Sequence, residues 1–289
     1  MDALVPYPDP TRHGRTATSE HALHDPLIIS MVCLGAVSLG LWWNHADLAA
    51  PYWRLYLNRA DGAGLRTAAG PLPLRADRLY LIPAHLSYST RPAVGVGHVF
   101  AHFDLPGLPV GLTRAAFNRP FILADDRERA ARFIAIGNAL AEGALPDLAM
   151  ILTARTLVDS CLAEVYSGLP EAERKRLESA LLHRGRLATV LARIEADPGA
   201  AHPNAALAAI AGVGTDHLIR LFRRHLGLSP ARHVAERRLA SAARALAFGD
   251  GTIEEIAEAH GFANRFGFTR AFTRRFGCGP AAWRNRGGS

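Results

Sequence analysis

The stretch GFANRFGFTRAFTRRFG, residues 261–277, holds five phenylalanines and four arginines. Phe268, Phe272 and Phe276 recur at i, i+4 and i+8, the spacing of one buried helical face, and Phe262 is placed to pack from the turn before them. Arg265, Thr269 and Thr273 fall on another face, flanked by Arg270 and Arg274. A guanidinium carries a planar fork of donors that matches the O6 and N7 acceptors of guanine, and it also pairs with phosphate. A helix with an aromatic core face and an arginine–threonine outer face has the chemistry to lie in a groove of nucleic acid.

The charge balance points the same way. The chain has 289 residues and a net charge of +7. Residues 200–289 hold 13 arginines, no lysine and six acidic residues, so they carry the whole excess. The other 20 basic and 20 acidic groups cancel. Such asymmetry implies a C-terminal module that faces a polyanion.

That module contains an internal repeat. Residues 207–230, LAAIAGVGTDHLIRLFRRHLGLSP, parallel residues 256–280, IAEAHGFANRFGFTRAFTRRFGCGP. Leu218 aligns with Phe268, Arg220 with Arg270, Phe222 with Phe272, Gly227 with Gly277 and Pro230 with Pro280. Each copy reads as helix, glycine-containing turn and helix, closed by Gly and Pro. Asn204 and Thr252 are the expected N-caps of the leading helices and Asn264 that of the later second helix, with Gly214 in the weaker equivalent place. Residues 238–248 are expected to form the helix between the units.

In these features residues 200–286 resemble the AraC/XylS family of bacterial transcription regulators, most closely through IEEIAEAHGFANRFGFTRAFTRRFGCGPAAWR and LGLSPARHVAERRLASAARAL. The resemblance implies two recognition helices, about 215–226 and 265–276, entering successive major-groove segments of double-stranded DNA. Carried over residue by residue, the base-facing positions are Asp216, Ile219 and Arg220 in the first helix, and Arg265, Phe266, Gly267, Thr269 and Arg270 in the second. Ile219 departs from the polar residue expected there but suits a thymine methyl group. Asp216 suits either cytosine N4 or its own helix N-terminus. Arg223, Arg224, Arg274 and Arg275 lie further along and are expected at phosphates. The competing reading of Arg220 and Arg270 is intramolecular pairing with Glu254, Glu255 or Glu258. Arg238 is expected to tie the connecting helix to one unit.

Ahead of the basic module the texture is mixed. Residues 52–58, 77–83 and 96–105 read as strands, and residues 27–43 as buried strands. LYLIPAHLSYST and HVFAHFDL resemble the same family's cupin-type sensor domain, so a small β-barrel is expected. Alternation sends Tyr52, Arg54, Tyr56 and Asn58 to one face, and places His98, Phe100, His102 and Asp104 together. A barrel lined by Arg54, Tyr56, His98 and His102, with His85 and Tyr88 at its mouth, suits a small polar effector such as a sugar. His85, His98 and His102 form a candidate metal set, but the His-x-His pair with a nearby glutamate that metal cupins use is missing, and no metal or other cofactor is expected. Residues 125–143, 147–169 and 171–199 read as three amphipathic helices.

The resulting expectation is an α+β chain: a segment over residues 1–25 without periodicity and expected to be mobile, a cupin-like sensor over 26–124, a helical dimerisation region over 125–197, and an all-α DNA-binding domain over 200–289. Three scattered cysteines form neither a disulfide framework nor a zinc pattern, and no signal peptide or membrane span is read, which suits the cytoplasm. No nucleophile elbow, P-loop or HExxH motif points to an enzyme. The function implied is a ligand-responsive, sequence-specific regulator, read as an activator, with operator DNA, a small-molecule effector, a second copy of the chain and RNA polymerase as partners. A metal-dependent cupin enzyme carrying a DNA-binding tail, and a nucleoid protein without sequence preference, are the alternatives.

Overall fold

The computed structural model describes residues 27–105, 108, 110–182 and 185–287. The segment expected over residues 1–25 lies outside them. The N-terminal half is built on two antiparallel sheets. Strands β1 (Ser30–Ser38), β2 (Trp53–Asn58), β5 (Leu79–Ile82), β7 (Gly97–Asp104) and β8 (Phe121–Ile122) form one sheet, in the order β1-β7-β2-β5-β8. Strands β3 (Gly64–Thr67), β4 (Gly70–Pro73) and β6 (Tyr88–Arg91) form the other, in the order β4-β3-β6.

The expected closed barrel is not what forms. β4 carries Pro71 and Pro73, which have no N–H to donate, so it ends its sheet as an edge strand. β8 has two residues and ends the larger sheet. At the other edge β1 is half-buried, where residues 27–43 were expected to be buried strands. The alternation along β2 holds. Trp53, Leu55 and Leu57 join a core beneath helices α2 (Arg127–Ala141) and α3 (Leu148–Ser167), whereas Tyr56 joins Leu65, Tyr80 and Tyr88 in the core between the sheets.

Within the third predicted helix the described residues form α4 (Glu171–Leu182) and α5 (Gly185–Ala196). α5 packs on the first helix-turn-helix unit. Its Leu187, Val190, Leu191 and Ile194 are buried with Leu207, Leu218 and Phe222 of the first helix-turn-helix unit. A short helix, α1 (Val110–Ala116), precedes β8.

The repeat folds as two such units, α6 (Asn204–Ile210) with α7 (Thr215–Leu226), and α9 (Ile253–Ala259) with α10 (Arg265–Phe276). Thr252 caps α9 in a reciprocal capping box with Glu255, and Asn264 caps α10 by accepting from the Gly267 amide at 2.8 Å. Asn204 does not cap α6: it is the first helical residue, after Pro203, and no side chain bonds that helix start. Gly214 occupies the N-cap of α7, also without a side-chain bond. The connecting helix α8 (Pro230–Phe248) is longer than expected, because Ser229 caps it and Pro230 opens its first turn. The final helix α11 (Pro280–Gly287) packs on α8, where the Trp283 indole donates to the Ala243 carbonyl.

Arg238 ties the module together. Its guanidinium donates to the carbonyls of Pro198, Gly199, Ala200 and Gly261, at 2.8 to 3.2 Å. This close approach separates two glycines that the repeat makes equivalent. Gly212 and Gly261 both hold left-handed backbone, at φ 63° and 73°. A Cβ at Gly212 would meet open space, whereas at Gly261 it would lie 2.3 Å from the Gly199 carbonyl oxygen. Both Gly→Ala changes are expected to cost about 1–3 kcal/mol for the backbone conformation, and Gly261→Ala to cost more through the clash. Urea unfolding of the two variants checks this, and equal losses would contradict it.

Candidate nucleic-acid interface and ligand cavity

The two recognition helices match in burial at each aligned position but the last, where Leu226 is buried and Phe276 is half-buried. Leu218 and Phe222 in α7, like Phe268 and Phe272 in α10, turn inward. Asp216, Arg220, Arg223 and Arg224 are exposed on α7, as are Arg265, Phe266, Arg270 and Arg274 on α10. Ile219 and Thr269 are half-exposed between them. Phe266 is 86% exposed, an apolar ring in water on a face otherwise made of arginine and threonine. Arg265, Phe266, Thr269, Arg270, Thr273 and Arg274 together line one open concavity.

Neither Arg220 nor Arg270 forms a salt bridge among the described residues, and Glu255 is occupied by the capping box, so internal pairing does not hold these arginines back. Two positions depart from expectation. The Gly267 amide is taken by Asn264 and is not free to reach a base. Arg275 is not presented for phosphate: it is paired with Glu236 and contacts His85 Nδ1 at 3.3 Å.

A cavity of about 310 Å³ opens between the sensor sheet and the second unit. Arg54, Tyr56, His98 and His102, four of the six predicted ligand residues, line it. So do Trp42, Trp43 and Phe100 from the sensor, and Phe276 and Trp283 from the DNA-binding module. Gly35 permits this arrangement, since the Phe100 ring occupies the space a Cβ there would need. Tyr88 stands behind the wall, its hydroxyl 3.3 Å from that of Tyr56 and its ring 5.4 Å from the Arg54 guanidinium carbon. His85 points at Arg275 instead of into the cavity. The three histidines therefore do not converge, and no group of three or more His, Cys, Asp or Glu that could hold a metal ion occurs among the described residues.

Below the cavity lies a charge cluster that sequence reading missed. Asp104, at the end of β7, pairs with Arg237 at 2.5 Å and Arg244 at 2.9 Å, both on α8, and Arg237 also binds Glu195 of α5. Burial raises the Asp104 pKa, but the two guanidiniums and their hydrogen bonds outweigh it and hold the carboxyl below its ordinary value. Arg237 and Arg244 lie 133 and 140 residues from Asp104 along the chain, so no local pattern marks the contact.

Residues 207–286 match a family described as a helix-turn-helix domain. The RCS-specific transcriptional activator RclR of Escherichia coli is 35% identical over 112 residues, 39% of each chain. A regulator from Chromobacterium violaceum with an AraC-type DNA-binding domain is 25% identical, over 37% of this chain and 96% of that one, with a TM-score of 0.36. Over residues 207–286 the chain carries a helix-turn-helix domain, and there it is similar to these regulators. ToxT of Vibrio cholerae, 11% identical, shares the wider fold over 91% of this chain and 99% of its own, with a TM-score of 0.51. Less than half of RclR is spanned by its match. Among the described residues, no single helix is long and apolar enough to cross a membrane.

The buried histidines give the chain a distinctive acid response. Burial pushes His98 down to about 3, and burial with the Arg275 and Arg114 charges does the same to His85. His102 is held well below its ordinary value by burial and by Arg54. In the unfolded chain these imidazoles protonate near 6.5, so as pH falls below that value the unfolded state binds more protons and stability drops. The slope is up to about 1.4 kcal/mol per pH unit for each histidine. Thermal unfolding between about pH 7 and pH 5 is expected to show a falling Tm, and a Tm that rises on acidification would contradict it.

Proposed function

We propose that this chain is a sequence-specific regulator that reads DNA with α7 and α10 and responds to a small molecule held in the cavity beneath α10. The supporting observation is the pair of recognition helices with matched outward faces, each offering, at the same place in the repeat, an arginine that no carboxylate among the described residues pairs. Arg220 and Arg270 read guanine, with Arg265, Phe266, Thr269, Ile219 and Asp216 around them, while Arg223, Arg224 and Arg274 hold phosphates. Phe266 and Ile219 suit thymine methyl groups. Effector binding changes how firmly the second unit is held, because the cavity wall includes Phe276 and Trp283.

The chain acts as a dimer. Leu145, just before α3, and Leu148 and Leu152 in its first turns are 86%, 70% and 53% exposed, apolar surface that a second copy would cover. The regulation is activation, as the name of RclR states for that protein. A cysteine-based oxidant sensor is the weaker reading. Cys33 lines the cavity, but burial pushes its thiol up to about 11, which leaves little of the thiolate that oxidants attack.

Binding selection on randomised DNA tests the assignment. Arg220→Ala and Arg270→Ala are each expected to relax preference at one position, about one helical turn apart, and to cost ~1–3 kcal/mol on the unaltered site. Arg274→Ala should weaken all sequences alike and lower the salt slope by about one. If the first two variants return the unchanged consensus with uniformly weaker binding, neither arginine reads a base.

A further inference from the structure

We infer that the cavity takes an organic anion, a carboxylate carried on a flat apolar body, and that Arg54 is its charge partner. This rests on the effector-responsive reading above and names the chemistry of the effector. Arg54 is 4% exposed and projects from the middle of β2, so its charge sits where water cannot solvate it freely. Its guanidinium carbon lies 4.6 Å from the Tyr52 ring centre, and it hydrogen-bonds the Tyr52 side chain. Nη1 is buried with no hydrogen-bond partner, and no carboxylate pairs with Arg54 among the described residues. The only acidic residue in the lining, Asp47, stands exposed at the rim.

A guanidinium cannot shed its proton to escape burial. An uncompensated buried charge is costly, and a carboxylate bound by two parallel N–H bonds is the group whose shape and charge answer it. A neutral sugar would satisfy hydrogen bonds and leave the charge unbalanced. The rest of the wall selects the body of the ligand. Trp42, Trp43 and Phe100 on one side and Phe276 and Trp283 on the other offer ring faces, which suit a planar apolar group better than a polyhydroxylated one. The neighbouring histidines stay neutral at physiological pH, so Arg54 alone supplies the charge.

Because the walls come from both halves of the chain, such a ligand favours the arrangement in which the second unit rests on the sensor. Its binding free energy is thereby linked to the freedom of α10.

The test compares 3-phenylpropanoate, its uncharged amide and arabinose on the full-length protein, read by tryptophan fluorescence and thermal shift. The carboxylate is expected to bind saturably and raise Tm, with the amide weaker by about tenfold or more and arabinose without effect. Arg54→Gln should weaken the carboxylate by a similar factor and leave the amide unchanged. If Arg54→Gln does not fold, the comparison of acid with amide on the unaltered chain decides by itself. Equal binding of acid and amide, undiminished acid binding by Arg54→Gln, binding of arabinose alone, or no binding of the acid would each overturn the inference. None of these readouts uses DNA, so loss of the DNA-reading assignment would be seen separately, in the binding selection.

Discussion

The arrangement of the molecule depends on one buried carboxylate. Asp104 ends strand β7 and meets Arg237 and Arg244 of the connecting helix, while Glu195 of α5 also pairs with Arg237. Two acids and two arginines balance, and Asp104 and Arg237 are almost fully out of water, with side chains 6% and 12% exposed. A buried pair of this kind adds little net stability compared with apolar packing, but removing one member costs several kcal/mol. Its effect is therefore one of specification. It fixes which face of α8 lies against the sensor sheet, and with it where both recognition helices stand.

Two other features follow from that docking. With α8 seated on the sensor, the last turn of α10 reaches it as well: Arg275 pairs with Glu236 beside His85, and Phe276 becomes part of the cavity wall. Leu226 of the first unit is buried in its own cluster with α5. The repeat thus yields two units on unequal foundations, one packed on α5 and the other touching the sensor. On the proposed function, an effector in the cavity acts on the second.

Much of this was legible in the sequence, for physical reasons that can be named. Helical periodicity and side-chain alternation are local, so the Phe268, Phe272 and Phe276 stripe and the separation of Trp53, Leu55 and Leu57 from Arg54 and Tyr56 could be read directly. The bounds of the two recognition helices came from the family resemblance. Capping by Thr252 and Asn264 is equally local. What was hidden depends on distant partners. Asp104 shares a strand face with His98 and His102, and nothing near it announces two arginines 133 and 140 residues away. Arg275 looked like its neighbour Arg274 until Glu236 and His85 were placed beside it. Barrel closure failed for a reason that was readable, the prolines of β4, yet strand count alone suggested the opposite.

The claim that the Asp104 cluster holds sensor and DNA-binding module as one unit is tested most directly by thermal unfolding of Asp104→Asn in the full chain. Asparagine keeps the shape and removes the charge, leaving Arg237 and Arg244 with one carboxylate between them. The unaltered protein is expected to unfold in a single transition, and the variant in two, the first lower by an amount that reflects about 3–5 kcal/mol of lost pairing. A variant that unfolds in one transition at the temperature of the unaltered chain would contradict the account.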